Sequence, residues 1–273
     1  MISESFIEQW RMCAPWQTMA MIEQDLVLSR ALVNLYNQPK IIQSLAFRGG
    51  TALNKLYLDR AARYSEDIDV VQINPEPIGD TIKAIRASLD DWLGSPKSKL
   101  TQRSAKLVYR YQAIDDTLAR LKIEINTTEH FHIQPLKTIP YAVNSEWFSG
   151  RADIVTYHLN ELMASKLCAL HQRSKGRDLF DLWLVKSQGL IDLEQLLSLF
   201  EQYCRYAQHH ITRAMFELSL SQKCQFKDFI TDTTKLLTPD TDWDFEEALT
   251  MVRREIISHL PGKPWKGIKQ VAS

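Results

Sequence analysis

The chain has 273 residues, of which 45% are hydrophobic, enough for a real core in one large domain or two small ones. Its 33 basic and 33 acidic residues cancel. That balance excludes a globally basic nucleic-acid coat and leaves any polyanion site to a local patch.

The start of the chain, "MISESFIEQWRMCAPWQ", lacks the basic stretch and apolar run of a signal peptide, and no apolar segment is long enough to span a bilayer. These features predict a soluble, cytoplasmic chain that does not engage a membrane. Cys13, Cys168, Cys204 and Cys224 are scattered without a C-x-x-C pair, so they read as reduced thiols rather than a zinc knuckle or disulfide framework. Residues 17–37 carry Met21, Leu28, Leu32 and Leu35 at helical spacing with no Gly or Pro, which predicts a long amphipathic helix. A short helix and a strand around Leu45 to Arg48 follow, then helix again from Thr51 to Leu58. The run "DIDVVQINPEP" predicts a strand closed by its prolines, with a helix over roughly Ile78 to Trp92. Residues 95–126 alternate in short apolar steps with small polar breaks, the pattern of two or three strands joined by tight turns. From residue 157 onward the chain is rich in leucine, poor in proline and periodic at 3.6 residues. The fold class is therefore α+β: a mixed-sheet domain over 1–150, divided near Gly150 from a mostly α-helical domain over 151–273.

Within "DIDVV", Asp67 and Asp69 are two apart in a strand and share a face, while Ile68 and Val70 point to the core. Two like charges so close in a medium of reduced dielectric call for a proton or a cation. A D-x-D pair is either a solvated strand end or a site for Mg²⁺ or Mn²⁺, which takes one or two carboxylates together with substrate phosphates. In "LKIEIN", Leu121, Ile123 and Ile125 face one way and Lys122, Glu124 and Asn126 the other. If this strand lies beside "DIDVV", Glu124 completes a three-carboxylate cluster fit for two-metal phosphoryl displacement.

Gly49 and Gly50 precede Thr51 and a helix, an arrangement that aims free N–H groups and a helix dipole at an anion such as a triphosphate. A plain turn with Thr51 as the cap is equally consistent. Neither the P-loop nor the dinucleotide spacing is present. Ser65 shares the Asp67 face if the strand starts early, where its hydroxyl would touch a phosphate or serve a turn.

In "ELMASKLCALHQRSKGRDLFDLWLV", Lys166, Leu170, Arg173 and Arg177 fall on one narrow helical face unless Gly176 ends the helix, in which case Arg177 and Asp178 open a second one. Either geometry gathers Lys166, Arg173, Arg177, Asp178 and Asp181. An Arg177 to Asp181 ion pair is one account; phosphate contact by Lys166 and an arginine is the other. His130 and His132 of "EHFHI" form an H-x-H with no further ligands at convincing spacing.

Taken together, "GGTALNK", "RYSEDIDVV", "LKIEIN" and "KLCALHQRSKGRDLFDLW" resemble the ordered motifs of the AbiEii/AbiGii nucleotidyltransferase toxins of type IV toxin–antitoxin and phage-abortive systems, within the polymerase β-like nucleotidyltransferase superfamily. The resemblance covers roughly residues 45–185. It implies that Gly49, Gly50 and Thr51, with Ser65, bind the nucleotide, that Asp67, Asp69 and Glu124 hold Mg²⁺ or Mn²⁺, and that Lys166, Asp178 and Asp181 act in catalysis beside the nucleotide contacts of Lys166, Arg173 and Arg177. It further implies transfer of a nucleotide from an NTP to an acceptor, with the 3′ end of tRNA foremost, a block on translation or growth, and a cognate antitoxin encoded nearby. A kinase-like phosphotransferase and a silent nucleotide- or RNA-binding module are the alternatives.

Two segments suit RNA. Residues 95–110 hold five basic residues and no acidic one. Arg205, Tyr206, His209, His210 and Arg213 read as one helix, basic residues interleaved with an aromatic. Lys263, Trp265, Lys266 and Lys269 repeat the pattern near the end of the chain; each of these runs is also what a solvated face looks like.

Overall fold

Alternating burial along "DIDVVQ" and "LARLKIEIN" builds the middle of a seven-stranded mixed sheet in the order β3-β4-β5-β2-β1-β7-β6. The computed structural model describes residues 2–267. The strands are β1 (Leu45–Arg48), β2 (Asp67–Gln72), β3 (Lys97–Leu100), β4 (Ser104–Gln112), β5 (Leu118–Asn126), β6 (Lys137–Asn144) and β7 (Ser149–Thr156). β2 runs parallel to β5 and β1 parallel to β7; the other neighbours are antiparallel.

Helix α1 (Glu4–Trp10) precedes α2 (Met19–Tyr36), which starts where Thr18 accepts a hydrogen bond from the Met21 amide at 3.2 Å. α3 (Pro39–Ser44) leads into β1, α4 (Gly49–Leu56) leaves it, and α5 (Gly79–Leu93) links β2 to β3. α2 and α5 pack on the sheet. Ile68, Val70, Leu107, Tyr109, Ile123 and Ile125 are buried on that side, and the Tyr109 hydroxyl donates to Asp90 of α5 at 3.0 Å. Asp25 of α2, also buried, collects the indole N–H groups of Trp10 (2.8 Å) and Trp16 (3.1 Å) and the Lys55 ammonium (2.6 Å), tying α1 and α4 to α2.

The chain divides into two compact units. The first runs to His158 and includes Leu236–Thr241; the second holds Leu159–Lys235 and the chain from Asp242. Gly150, where composition suggested the break, lies inside β7, whose eight-residue pairing with β6 and bridge to Phe47 of β1 bind it to the first unit. β6 carries no sequence signal of its own because Pro140 and exposed polar residues interrupt its apolar pattern, which an edge strand tolerates. The second unit is helical: α6 (Leu159–Gln172), α7 (Gly176–Ser187), α8 (Leu193–Tyr206), α9 (Arg213–Lys223), α10 (Lys227–Thr231) and α11 (Phe245–Glu255). Half-buried Trp183 and Trp243 cover the buried Phe180 ring, with ring centroids 5.0–5.6 Å apart. Among the described residues no helix is long and apolar enough to cross a membrane.

Candidate active site

The pairing of β2 with β5 places Asp67 beside Lys122 and Asp69 beside Glu124, so all four side chains leave the same face of the sheet. Lys122 Nζ lies 2.6 Å from Asp67 Oδ2 and 3.3 Å from Glu124 Oε2, and Lys106 Nζ of the next strand lies 2.8 Å from Glu124 Oε1. Burial alone would raise the Glu124 carboxyl, but the two ammonium groups outweigh it and hold Glu124 below the usual carboxylate range. Burial would likewise lower Lys122, and Asp67 and Glu124 reverse the sign, so the ammonium is kept charged. Among the described residues no three ligating side chains form a ready-made metal group. The carboxylates expected to cluster share a face, while Glu124 is turned to its lysines.

The donor set is all carboxylate oxygen, which is what a hard divalent cation prefers, and the Lys122 ammonium stands between two of its members as a cation would. Asp67 and Asp69, with Glu124 beside them, are the residues that could hold a hard divalent cation such as Mg²⁺ or Mn²⁺.

The glycines start the helix rather than precede it: α4 begins at Gly49, with Arg48 in the capping position. Gly49 has φ +84°, and a Cβ there would lie 2.7 Å from Asp69 Oδ2. The first turn of α4 therefore sits directly against the second aspartate, which only glycine permits. A Cβ at Gly50 would strike the guanidinium of Arg63, a residue only 2% exposed. Thr51 does not cap the helix. It is buried and donates to the Asp67 carbonyl at 2.6 Å, while its oxygen lies 2.8 Å from the Ser65 hydroxyl. These bonds lock α4 to the start of β2, so Thr51 and Ser65 fix where Asp67 stands. Arg48, cross-strand from Asp69, reaches Glu129 at 2.8 Å.

In the second unit α6 stops at Gln172 and Gly176 opens α7; a Cβ there would overlap the Phe229 carbonyl. Lys166 Nζ meets Asp181 at 2.7 Å and Asp178 at 3.3 Å, and Arg173 grips Asp178 in two bonds of 2.7 and 2.9 Å. Burial would raise the Asp178 carboxyl, but Lys166 and Arg173 hold it below its ordinary value. Arg177 takes no part in an Asp181 pair. Its backbone N–H donates to Asp232 at 3.2 Å and its side chain lies 3.5 Å from the same carboxylate; although Asp181 is one helical turn along α7, it is Lys166 that meets it.

The basic helix read over residues 205–213 is corrected: α8 ends at Tyr206 and α9 starts at Arg213, leaving His209 and His210 in the connection. Arg205 pairs with Glu201 at 2.6 Å and Arg213 with Glu217 at 2.7 Å. Lys263, Trp265 and Lys266 lie beyond α11 in the second unit, and Lys269 falls outside the described residues. His130 and His132 direct Nδ1 at the carbonyls of Gln72 (2.8 Å) and Gln134 (2.9 Å), a structural use of both rings.

The profile of the nucleotidyl transferase AbiEii toxin family of type IV toxin–antitoxin systems matches residues 30–251. The chain belongs to this family. Among solved structures, the AbiEii-family chain is similar to MenT4, a nucleotidyltransferase toxin of Mycobacterium tuberculosis, at 16% identity and a TM-score of 0.61, covering 96% of this chain and 91% of that one. It is also similar to JHP933 of Helicobacter pylori, at 18% identity and a TM-score of 0.54, covering 86% and 89%. At these identities the likeness is one of fold. No curated protein sequence matches the chain. Family and fold together make it a toxin-like nucleotidyltransferase.

Lys122, Lys106 and Arg48 were not among the residues picked from the sequence. The alternation in "LKIEIN" already put Lys122 on the Glu124 face; only the β2–β5 register shows that it meets Asp67.

Proposed function

We propose that the protein moves a nucleotidyl group from an NTP to the 3′ hydroxyl of an RNA, foremost tRNA, and so blocks translation, with a cognate antitoxin as its natural restraint. The observation that carries the reading is the placement of Asp67, Asp69 and Glu124 on one sheet face, against the glycine start of α4. Mg²⁺ or Mn²⁺ bound there would neutralise triphosphate charge and lower the pKa of the acceptor hydroxyl. The first-turn N–H groups of α4, which no side chain of the capping residue engages, would serve the β and γ phosphates, with the helix dipole adding to their pull. Thr51 and Ser65 keep Asp67 aligned through its backbone. In the second unit Arg173 and Arg177 are partly exposed but paired with Asp178 and Asp232, and Lys166 lies buried and sets the positions of Asp178 and Asp181.

The test is incubation of the protein and its Asp69→Ala variant with Mg²⁺, each α-³²P-labelled NTP and total bacterial tRNA. Label on RNA that requires Asp69 is the expected result. Absence of label with every nucleotide, from a folded protein, refutes the reading; incorporation of γ-label instead identifies a phosphotransferase.

A further inference from the structure

The register of β3, β4 and β5 orders cations into rows on one face of the sheet, two of which end at the carboxylates. Lys99 lies beside Lys106, and Lys106 beside Glu124; Lys97 lies beside Val108, and Val108 beside Lys122; Arg110 lies beside Arg120. Residues paired across strands share a face, and β2 extends the first two rows to Asp69 and Asp67. Lys106 and Lys122 are engaged with Asp67 and Glu124. Lys97, Lys99, Arg110 and Arg120 are exposed, and no acidic side chain on these strands other than Glu124 shares their face. Bringing such cations together on one rigid face raises their mutual repulsion, which a polyanion relieves. With strands ~4.8 Å apart, the edge strand lies roughly 14 Å from Asp69, a reach that suits a chain of phosphates better than a single nucleotide. None of the positions on this face of β3 to β5 is aromatic, so contact would be to the backbone and tolerant of sequence.

We propose that this face, from Lys97 and Lys99 across Arg110 and Arg120, is the bed for the phosphate backbone of a single-stranded nucleic-acid acceptor and leads its 3′ end to Asp67 and Asp69. The proposal rests on the transferase reading for the direction of the strand alone, since binding is measured without turnover. It selects among the basic residues of the 95–110 segment: Arg103 sits outside both flanking strands and is left out.

The experiment is fluorescence anisotropy of a 5′-labelled single-stranded RNA 12-mer against the full chain in EDTA, over a series of salt concentrations. The variants are Lys97→Gln with Lys99→Gln, Arg110→Gln with Arg120→Gln, and Lys83→Gln on α5 as an off-face control. Each face pair is expected to weaken binding by about tenfold at low salt and to flatten the salt slope by about 1.4, two phosphate contacts at 0.7 each; the control binds as wild type. Unchanged affinity and slope in both face pairs overturns the proposal, as does an equal loss in the control. Loss of fluorescent NTP binding with RNA binding intact overturns it in favour of a triphosphate site. Face-dependent RNA binding with no nucleotide transfer by the wild type sustains the surface and removes the transferase reading; transfer with wild-type RNA binding in the face variants does the reverse.

Discussion

Replacing Lys166 with methionine tests what holds the second unit together. Its ammonium lies 2.7 Å from Asp181 and 3.3 Å from Asp178, and the carboxylates are 1% and 0% exposed. Methionine keeps the stem and removes the charge, leaving Asp181 without that ammonium and Asp178 dependent on Arg173, whose guanidinium is half in solvent. Removing one partner of a buried ion pair costs about 3–5 kcal/mol, because the remaining charge stays desolvated. For a chain of this size that corresponds to a fall in Tm of roughly 6–20 °C. Thermal unfolding by circular dichroism at neutral pH reads it directly. A companion double variant, Lys166→Met with Asp181→Leu, removes charge from both sides and is expected to recover much of the loss, since well-packed apolar groups often replace a buried pair without penalty. A Lys166→Met protein within 1 kcal/mol of wild type refutes the reasoning. The outcome also governs how activity data on this residue are read. Lost transfer in an unfolded variant says nothing about chemistry, whereas lost transfer in the folded double variant assigns the Lys166–Asp181 pair a role beyond packing.

Asp178 titrates below its unfolded value, so its stabilisation is present above about pH 4 and is lost as pH falls through the folded pKa; acid melts of Asp178→Asn should show a shallower loss than wild type. Lys223 has the opposite chemistry: burial pulls it down to about 8 while it donates to the His171 carbonyl at 2.7 Å. The unfolded chain binds the extra proton between that value and about 10.4, so stability should rise with pH across that window in wild type and stay flatter in Lys223→Met. Lys122→Met removes the ammonium between Asp67 and Glu124 and should tighten Mn²⁺ binding, followed by electron paramagnetic resonance, by about tenfold while lowering metal-free stability; unchanged Mn²⁺ affinity would show that the lysine does not compete for the site. Gly50→Ala drives a methyl group to 2.3 Å from the Arg63 guanidinium and should cost about 1–3 kcal/mol in urea unfolding.

Much of this protein was legible in its sequence because local periodicity carries it. The two-residue alternation of "DIDVV" and "LKIEIN" fixes which side chains face out, the Gly- and Pro-free run of residues 17–37 gives α2, although that helix is buried on nearly every side rather than amphipathic, and Gly176 marks the start of α7. The ordered motifs pointed to the nucleotidyltransferase family that the profile over residues 30–251 shows. Partner choice was not legible, because it depends on which strands become neighbours. The register sets Lys122 against Asp67, and packing within the second unit brings Asp232 to Arg177 and Lys166 to Asp181, although Arg177 and Asp181 are one turn apart on α7. β7 joins the first unit through pairing with β6 and β1, contacts that no local pattern around Gly150 encodes. By itself the sequence determined the faces of its elements and the chemical groups on them. Tertiary structure alone decided which charges meet, because ion pairing follows distance in space while periodicity records only distance along the chain.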